Sequence, residues 1–245
     1  LSPNPMRLRD IISAASDGAV SMAPTAMLLI CVGLIVNVVG MTGVGNTFSL
    51  MLSSWAGGSL LLTIILVALA SLVLGMGLPV TASYIVLATL SAPAIYGLMV
   101  EAELVTSLML GASTPELSAY AMLVAPELVT SIGNAMSEAD ALTLLAALPA
   151  DIRSGLAEGI IAPALLTSML LAAHLVIFWL SQDSNVTPPV ALCAFAAASI
   201  AGTRPMETGF AAWKIAKGLY LVPLLFVYQP LIIGTGIEPL VTALM

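Results

Sequence analysis

The chain has 245 residues, of which 60% are hydrophobic and 8% are charged, and its mean hydropathy is +1.11. Soluble domains carry about 25% charged residues, so this composition excludes a soluble domain and indicates an integral membrane protein. Long apolar runs exclude the short alternating strands of a β-barrel and predict an all-α, polytopic membrane fold. The net charge of −7 is concentrated in residues 101–158, which contain eight acidic residues and a single basic residue, Arg153.

Residues 1–22 contain Arg7 and Arg9 among apolar residues, a spacing typical of an amphipathic lead-in helix on the membrane face. A plain loop is the alternative. Residues 23–58 are predicted to form the first span and a Gly- and Ser-rich turn, in which Trp55 suits the membrane interface. Because the chain begins on Leu1, we expect it to be part of a longer polypeptide.

Residues 59–100 are predicted to form a re-entrant hairpin. The first apolar run spans sixteen residues, roughly 24 Å of helix, and stops at Gly75-Met76-Gly77-Leu78-Pro79. A second apolar run follows without an intervening charge. Glycines suit a tight tip inside the bilayer, and Pro79 suits the first turn of the returning helix. A kinked single span or two tightly turned spans are the alternatives.

Residues 101–158 are too polar to span a membrane and are predicted to form an extracytoplasmic insert of short helices, either on the membrane face or as a small cap. Thr114 and Ser137 are predicted N-caps, because each precedes acidic residues in a first helical turn. The pentapeptide Glu-Leu-Val-Thr-Ser occurs at 103–107 and again at 127–131, a weak indication of local duplication.

Residues 159–202 are predicted to be a broken transmembrane helix. Its apolar sequence is interrupted at 180–190 by Leu-Ser-Gln-Asp-Ser-Asn-Val-Thr-Pro-Pro-Val. Pro188 and Pro189 lack the N–H that a helix requires, and unsatisfied backbone groups are costly in hydrocarbon. Such a break in a transmembrane helix is expected only where it binds a ligand. Residues 203–217 are predicted to be a cytoplasmic connector and 218–245 the last span.

The distribution of charge orients these segments. If Arg7 and Arg9 are cytoplasmic, a hairpin at 59–100 places the acidic segment outside and the basic connector at 203–217 inside. A kinked single span at 59–100 would instead place that connector outside. Charge therefore favours the hairpin over a single span, and the C-terminus is predicted to be extracytoplasmic.

Two motifs in order, residues 71–86 around Gly-Met-Gly-Leu-Pro and residues 184–192 around Asn-Val-Thr-Pro-Pro, resemble one family closely. Residues 201–209 and 223–230 fit it as well. The chain resembles the C-terminal half of the large membrane subunit of a tripartite ATP-independent periplasmic (TRAP) transporter, especially the TAXI type with fused subunits. The acidic segment is longer than that pattern leads one to expect, and the N-terminal repeat is absent.

The resemblance implies half of an elevator-type secondary transporter that imports an organic acid, commonly a carboxylate, with a sodium or proton gradient. Implied partners are an extracytoplasmic solute-binding protein, a fused or separate small membrane subunit, and the N-terminal repeat missing from this chain. It implies the cytoplasmic (inner) membrane of a bacterium or archaeon, without a cofactor or nucleic acid. The implied ion and substrate site lies where the hairpin tip meets the break. Its residues are Gly75, Met76, Gly77, Pro79, Thr81, Ser184, Asn185, Thr187, Pro188 and Pro189.

The side chains at the break have suitable chemistry of their own. Sodium takes oxygen ligands, which unwound carbonyls and hydroxyls provide, and we place it at Gly77, Asn185 and Thr187. Helix N-termini after Pro79 and Pro189 suit an anion. Asp183 is either a proton-coupling acid within the membrane or a solvated residue at the outer mouth, with equal weight. We expect His174 to be a packed, hydrogen-bonded residue.

Three other functions remain as alternatives. One is an ion-coupled anion symporter of elevator type that needs no binding protein. Another is a channel or scaffold subunit that does not transport. The third, a membrane-embedded hydrolase, is disfavoured because the sequence has no second carboxylate at membrane depth, no usable Ser/His pair and no HExxH motif. We therefore expect that the protein is not an enzyme.

Overall fold

The computed structural model describes residues 7–75, 78, 80–189 and 191–228. These residues are almost entirely helical and include no strand, which confirms the all-α prediction. The α-helices are α1 (Leu8–Thr42), α2 (Val44–Trp55), α3 (Leu60–Gly75), α4 (Val80–Met109), α5 (Pro115–Val124), α6 (Glu138–Ala147), α7 (Ala150–Ile160), α8 (Pro163–Leu180), α9 (Leu192–Ala201), α10 (Pro205–Ile215) and α11 (Val222–Tyr228). Three 3-10 helices lie between them, at Pro126–Ser131, Asp183–Asn185 and Ala216–Tyr220.

Several of these helices have the length and composition of membrane spans. In the described part of the chain, Val80–Met109, Pro163–Asn185 and Pro205–Tyr228 each meet that standard. The pair Leu29–Thr42 and Thr47–Trp55, bent by 78°, adds a fourth if it is a single broken span. The chain is therefore a multi-pass membrane protein.

The N-terminal prediction of a separate lead-in helix is wrong. α1 runs without interruption through Thr42, so the predicted lead-in and first span are one helix. It ends where Gly43 adopts the left-handed region, at φ 69°. Most of the predicted turn after it is α2, which packs along α4. The Ser49 hydroxyl donates a 2.7 Å hydrogen bond to the Leu90 carbonyl across this contact.

We call α2, α3, α4, α8 and α11 the bundle, because their apolar side chains share one core. Fully buried residues of this core are Val67, Leu87, Ile95, Val176 and Ile177.

α3 and α4 form an antiparallel helical hairpin within it. α4 has 30 residues, about 45 Å of helix, which exceeds the ~30 Å thickness of the hydrocarbon core. A helix of this length is long enough to cross the membrane completely. The re-entrant hairpin therefore stays a prediction.

We call α5, α6, α7 and the 3-10 helix Pro126–Ser131 the cap. Together with the last turns of α4 they enclose a second core that includes Leu108, Leu117, Leu144 and Leu145. The predicted boundary between hairpin and insert at residue 100 is wrong, because α4 continues to Met109 and carries the first acids of the segment. The apolar residues of these last turns pack against the cap, and this packing stabilises the continuation of α4 beyond residue 100.

Both predicted N-caps of the cap are confirmed. The Thr114 hydroxyl accepts a 3.1 Å hydrogen bond from the Leu117 amide, and the Ser137 hydroxyl accepts one of 3.2 Å from the Asp140 amide. The repeated pentapeptide does not form a structural repeat. Residues 103–107 lie in α4, whereas 127–131 lie in a 3-10 helix.

The C-terminal helices do not follow the predicted division into a connector and a last span. The predicted connector at 203–217 is α10 and the beginning of the 3-10 helix Ala216–Tyr220. With α11 they form a candidate span from Pro205 to Tyr228, which starts earlier than the predicted last span at 218. The remainder of that predicted span, 229–245, lies outside the described residues.

α3 ends against the interruption of the predicted broken helix. A Cβ built on Gly75 would lie 2.6 Å from the Ser184 Cβ and 2.8 Å from its Oγ, closer than real contacts allow. Only glycine therefore lets the end of α3 reach the 3-10 helix Asp183–Asn185. This contact joins the two interruptions that the sequence singles out.

The contact can be tested by exchange of its two residues. Gly75→Ala is expected to lower the Tm of the purified chain, because overpacking of this kind costs about 1–3 kcal/mol. Ser184→Gly removes the atoms that the new methyl group meets and is expected to restore the Tm in the double variant. Gly33→Ala in α1 is the control, since its Cβ meets nothing within 4 Å. Equal Tm values for Gly75→Ala and Gly33→Ala would contradict the contact.

Candidate ion and substrate site

We call residues 181–191, between α8 and α9, the break. Its backbone is ordered by internal hydrogen bonds: the carbonyls of Gln182 and Asp183 accept from the Asn185 and Thr187 amides, at 3.0 and 2.9 Å. The carbonyls of Ser184, Asn185 and Val186 accept no backbone N–H from the described residues. The break therefore presents free carbonyl oxygens in a segment that follows directly on an apolar helix.

α10 approaches the break from another side through Gly209. A Cβ on Gly209 would lie 3.2 Å from Phe195 Cε1, 3.4 Å from Ala191 Cβ and 3.6 Å from Pro188 Cγ. Gly209 is buried, and a Cβ there would be in tight contact with the Phe195 ring and in ordinary van der Waals contact with Ala191 and Pro188. The break is thus packed between Gly75 of α3 and Gly209 of α10.

The 3-10 helix Ala216–Tyr220 fixes the side chain of Thr187. The hydroxyls of Thr187 and Tyr220 share a 2.5 Å hydrogen bond. Beside them, Trp179 Nε1 donates a 2.9 Å hydrogen bond to the Leu219 carbonyl, and the Trp179 ring packs edge-on against Phe226 at 5.8 Å. The last turn of α8 and the segment before α11 therefore hold the break together.

Asp183 is the buried acid of the site. Its relative exposure is 0%, and neither carboxylate oxygen has a hydrogen-bond partner among the described residues. The alternative of a solvated residue at the outer mouth is therefore wrong. An ionised carboxylate without a partner costs several kcal/mol in such surroundings, so this position requires a proton or a cation.

A second buried polar group lies in the first turn of α4, just after the hairpin tip. Ser83 has a relative exposure of 0%, and its hydroxyl has no hydrogen-bond partner in the described part of the chain. Thr81, two residues earlier and singled out by the sequence, is exposed. Buried polar atoms without a hydrogen-bond partner among the described residues therefore lie in the break and in the first turn after the hairpin tip.

The other predicted residues are distributed as follows. Ser184 is buried against Gly75, and Asn185 is half-buried, with its amide nitrogen 3.4 Å from Gln182 Oε1. Pro188 is half-buried and Pro189 is exposed. Met76, Gly77 and Pro79, including the predicted sodium position at Gly77, lie outside the described residues.

Gly209 and Tyr220 are the residues of this site that sequence reasoning missed. Both belong to stretches interpreted as a connector and the start of the last span, and no spacing marks them. Only their contacts with the break reveal them. His174 has the packing role that we expected: its Nδ1 shares a 3.2 Å hydrogen bond with the Tyr84 hydroxyl of α4.

Comparison with known proteins gives one match. The model of the family described as tripartite ATP-independent periplasmic transporter, DctM component, matches residues 3–241. No curated protein and no solved structure matches the chain. The family match covers nearly the whole chain, including the hairpin, the cap and the break. The chain therefore belongs to the DctM family, the large membrane component of TRAP secondary transporters.

Proposed function

We propose that this chain is the C-terminal half of a TAXI-type permease that imports an organic acid, a carboxylate, with a cation gradient. The observation that carries the proposal is the meeting of the break with the end of α3 at Gly75 and Ser184. Free carbonyl oxygens and a buried acid without a partner lie at the same place. A secondary transporter needs such a site, because the ion and the substrate must bind together there.

Sodium is the first coupling ion that this chemistry supports. Its ligands would be free carbonyls of the break with Asn185, Thr187 and Gly77, since hard cations take oxygen ligands. The hydrogen bond between Thr187 and Tyr220 is compatible with this role, because a hydroxyl oxygen has two lone pairs besides its proton. Tyr220 then positions the ligand.

The carboxylate would bind at the start of a half-helix. α9 begins directly after the break, and its first N–H groups and positive dipole end favour an anion. The exposed hydroxyl of Thr81 is available at the start of α4. No Lys or Arg lies between Arg153 and Arg204, so backbone dipoles replace a basic residue. In the proposed elevator-type permease, an N-terminal repeat would supply the other half of the site.

The partners follow from the family. A periplasmic solute-binding protein would deliver the substrate on the side of the cap, and a small membrane subunit, fused or separate, would complete the permease in the inner membrane. A symporter that needs no binding protein is the competing function, since the break suits it equally. Uptake by the complete transporter with and without its binding protein distinguishes the two.

The sodium ligands are tested by Asn185→Ala combined with Thr187→Ala in the complete transporter. Sodium-driven uptake is expected to fall by roughly tenfold or more, because two oxygen ligands are lost. Tyr220→Phe removes only the bond to Thr187 and is expected to have a smaller effect. Thr203→Ala with Thr208→Ala, an exposed hydrogen-bonded pair, is the matched control. Undiminished uptake at low sodium would refute this ion site.

Asp183 is proposed as the proton-binding group of the break. Asp183→Asn keeps the size of the side chain but cannot release a proton at its carboxyl group. Uptake driven by an imposed proton gradient is expected to fall roughly tenfold or more, whereas exchange of labelled for unlabelled substrate continues. Glu207→Gln, a change of an exposed acid in α10, is the control. Full proton-driven uptake by Asp183→Asn would remove Asp183 from the coupling mechanism.

The proposed orientation is tested by single cysteines in a chain lacking Cys31 and Cys193. Ala119→Cys, exposed on α5 of the cap, is expected to react with an impermeant thiol reagent added to intact cells. Thr203→Cys, exposed between α9 and α10, is expected to react only after the membrane is opened. The reverse pattern would overturn the orientation. Reaction of both from outside would show that residues 159–202 do not cross the membrane, which would overturn the broken transmembrane helix.

A further inference from the structure

A cavity of about 360 Å³ lies between α2, α4 and the cap, and none of its lining residues belongs to the break. Its volume is in the range of small-molecule sites, about 300–1,000 Å³. Its apolar walls include Leu50, Pro93, Ala94, Leu104 and Leu145. Leu50 and Gly97 are exposed, so the cavity opens to the surroundings of the protein.

Two opposite charges line this cavity, Arg153 of α7 and Glu101 of α4. Their closest nitrogen and oxygen atoms are 4.0 Å apart, and their side chains are 37% and 41% exposed. That distance is too long for a hydrogen bond, and neither group makes one with the described residues. Both therefore keep their full capacity to bind a ligand.

The serine hydroxyls of the cavity favour a ligand that donates hydrogen bonds. Ser49 donates its proton to the Leu90 carbonyl at 2.7 Å, and Ser154 donates its proton to the Asp151 carbonyl at 2.8 Å. Because each hydroxyl has one proton, both oxygens can only accept further bonds. Ser154 lies next to Arg153 in the chain, so its oxygen and the Glu101 carboxylate offer acceptors for a primary ammonium group beside the guanidinium.

The charges around the cavity narrow the class of ligand further. Residues 101–158 carry eight acids, so a free carboxylate would be repelled, while a simple cation would leave Arg153 without an anionic partner. A zwitterion has both charges and no net charge. Its anionic group would meet the guanidinium, which binds phosphate through paired N–H donors.

The position of the cavity indicates a lipid. Glu101 is the first charged residue after the apolar run 80–100, so it marks the end of the hydrocarbon region on this helix. Trp55, two residues beyond the cavity residue Ser53, is 63% exposed, as aromatic residues at the membrane interface are. Charges and apolar walls therefore lie at the depth where a headgroup meets its acyl chains.

We propose that this cavity binds an ethanolamine phospholipid. The phosphate is held by Arg153, the ammonium group by Glu101 and the Ser154 oxygen, and the acyl region lies on the apolar walls that extend toward Ser49. A choline headgroup fits less well, because its ammonium has no N–H to donate. The lipid then joins the cap to the bundle, independently of the ion and substrate that the break binds.

The test uses the full purified chain, delipidated in detergent and offered phosphatidylethanolamine, phosphatidylcholine or phosphatidylglycerol. Native mass spectrometry is expected to show one ethanolamine lipid retained in clear preference. Arg153→Gln and Glu101→Gln should each remove the preference, because each charge that holds the headgroup is lost. Arg204→Gln and Glu207→Gln, which alter an exposed ion pair of 2.8 Å on α10, are the matched controls.

A second variant distinguishes loss of the lipid site from loss of folding. Gly97→Leu places a side chain into the cavity, where its Cβ meets nothing within 4 Å, and should abolish lipid retention at unchanged Tm. Gly155→Leu, with equal space on α7 outside the cavity, should retain the lipid. Equal retention of the three lipids would show annular lipid only. Displacement of the lipid by succinate would show a carboxylate site. Either result overturns the proposal.

Discussion

The contact between Gly75 and Ser184 is the constraint on which the site depends. In hydrocarbon, the unpaired backbone groups of an interrupted helix are stable only where other protein segments surround them. The end of α3 provides one such wall, and α10 provides another at Gly209. Both contacts are made at glycines, so the helix backbones approach the break closely.

The acidic residues of this chain lie in two different environments. Those of the cap and the end of α4 are on or near the surface, where water stabilises the charge, and they give the chain its negative balance. Asp183 is buried, and its carboxylate has no hydrogen-bond partner among the described residues. A group in that position gains or loses its charge only when a proton or cation moves with it, whereas a surface acid stays charged. This difference is why Asp183, and not a surface acid, is the residue proposed for proton coupling.

The cap and the bundle have separate cores that share α4. The apolar side chains of the bundle face one another within the membrane, where burial against a neighbour replaces contact with lipid. The cap lies beyond that region, and its core around Leu117, Leu144 and Leu145 is driven by removal of apolar surface from water. α4 is long because it contributes to both. The cavity between the two units lies where neither core fills the space, at the level where Glu101 and Arg153 meet.

The sequence by itself determined the membrane class, the helical fold, the N-caps and the two interruptions, because hydropathy, glycine, proline and capping residues act locally. It also narrowed the site to the tip and the break. Only the tertiary structure decided that Asp183 is buried and that Gly209 and Tyr220 belong to the site. These properties depend on neighbours distant in sequence. The pentapeptide Glu-Leu-Val-Thr-Ser shows the reason: it is α-helical at 103–107 and 3-10 helical at 127–131, since different surroundings stabilise each conformation.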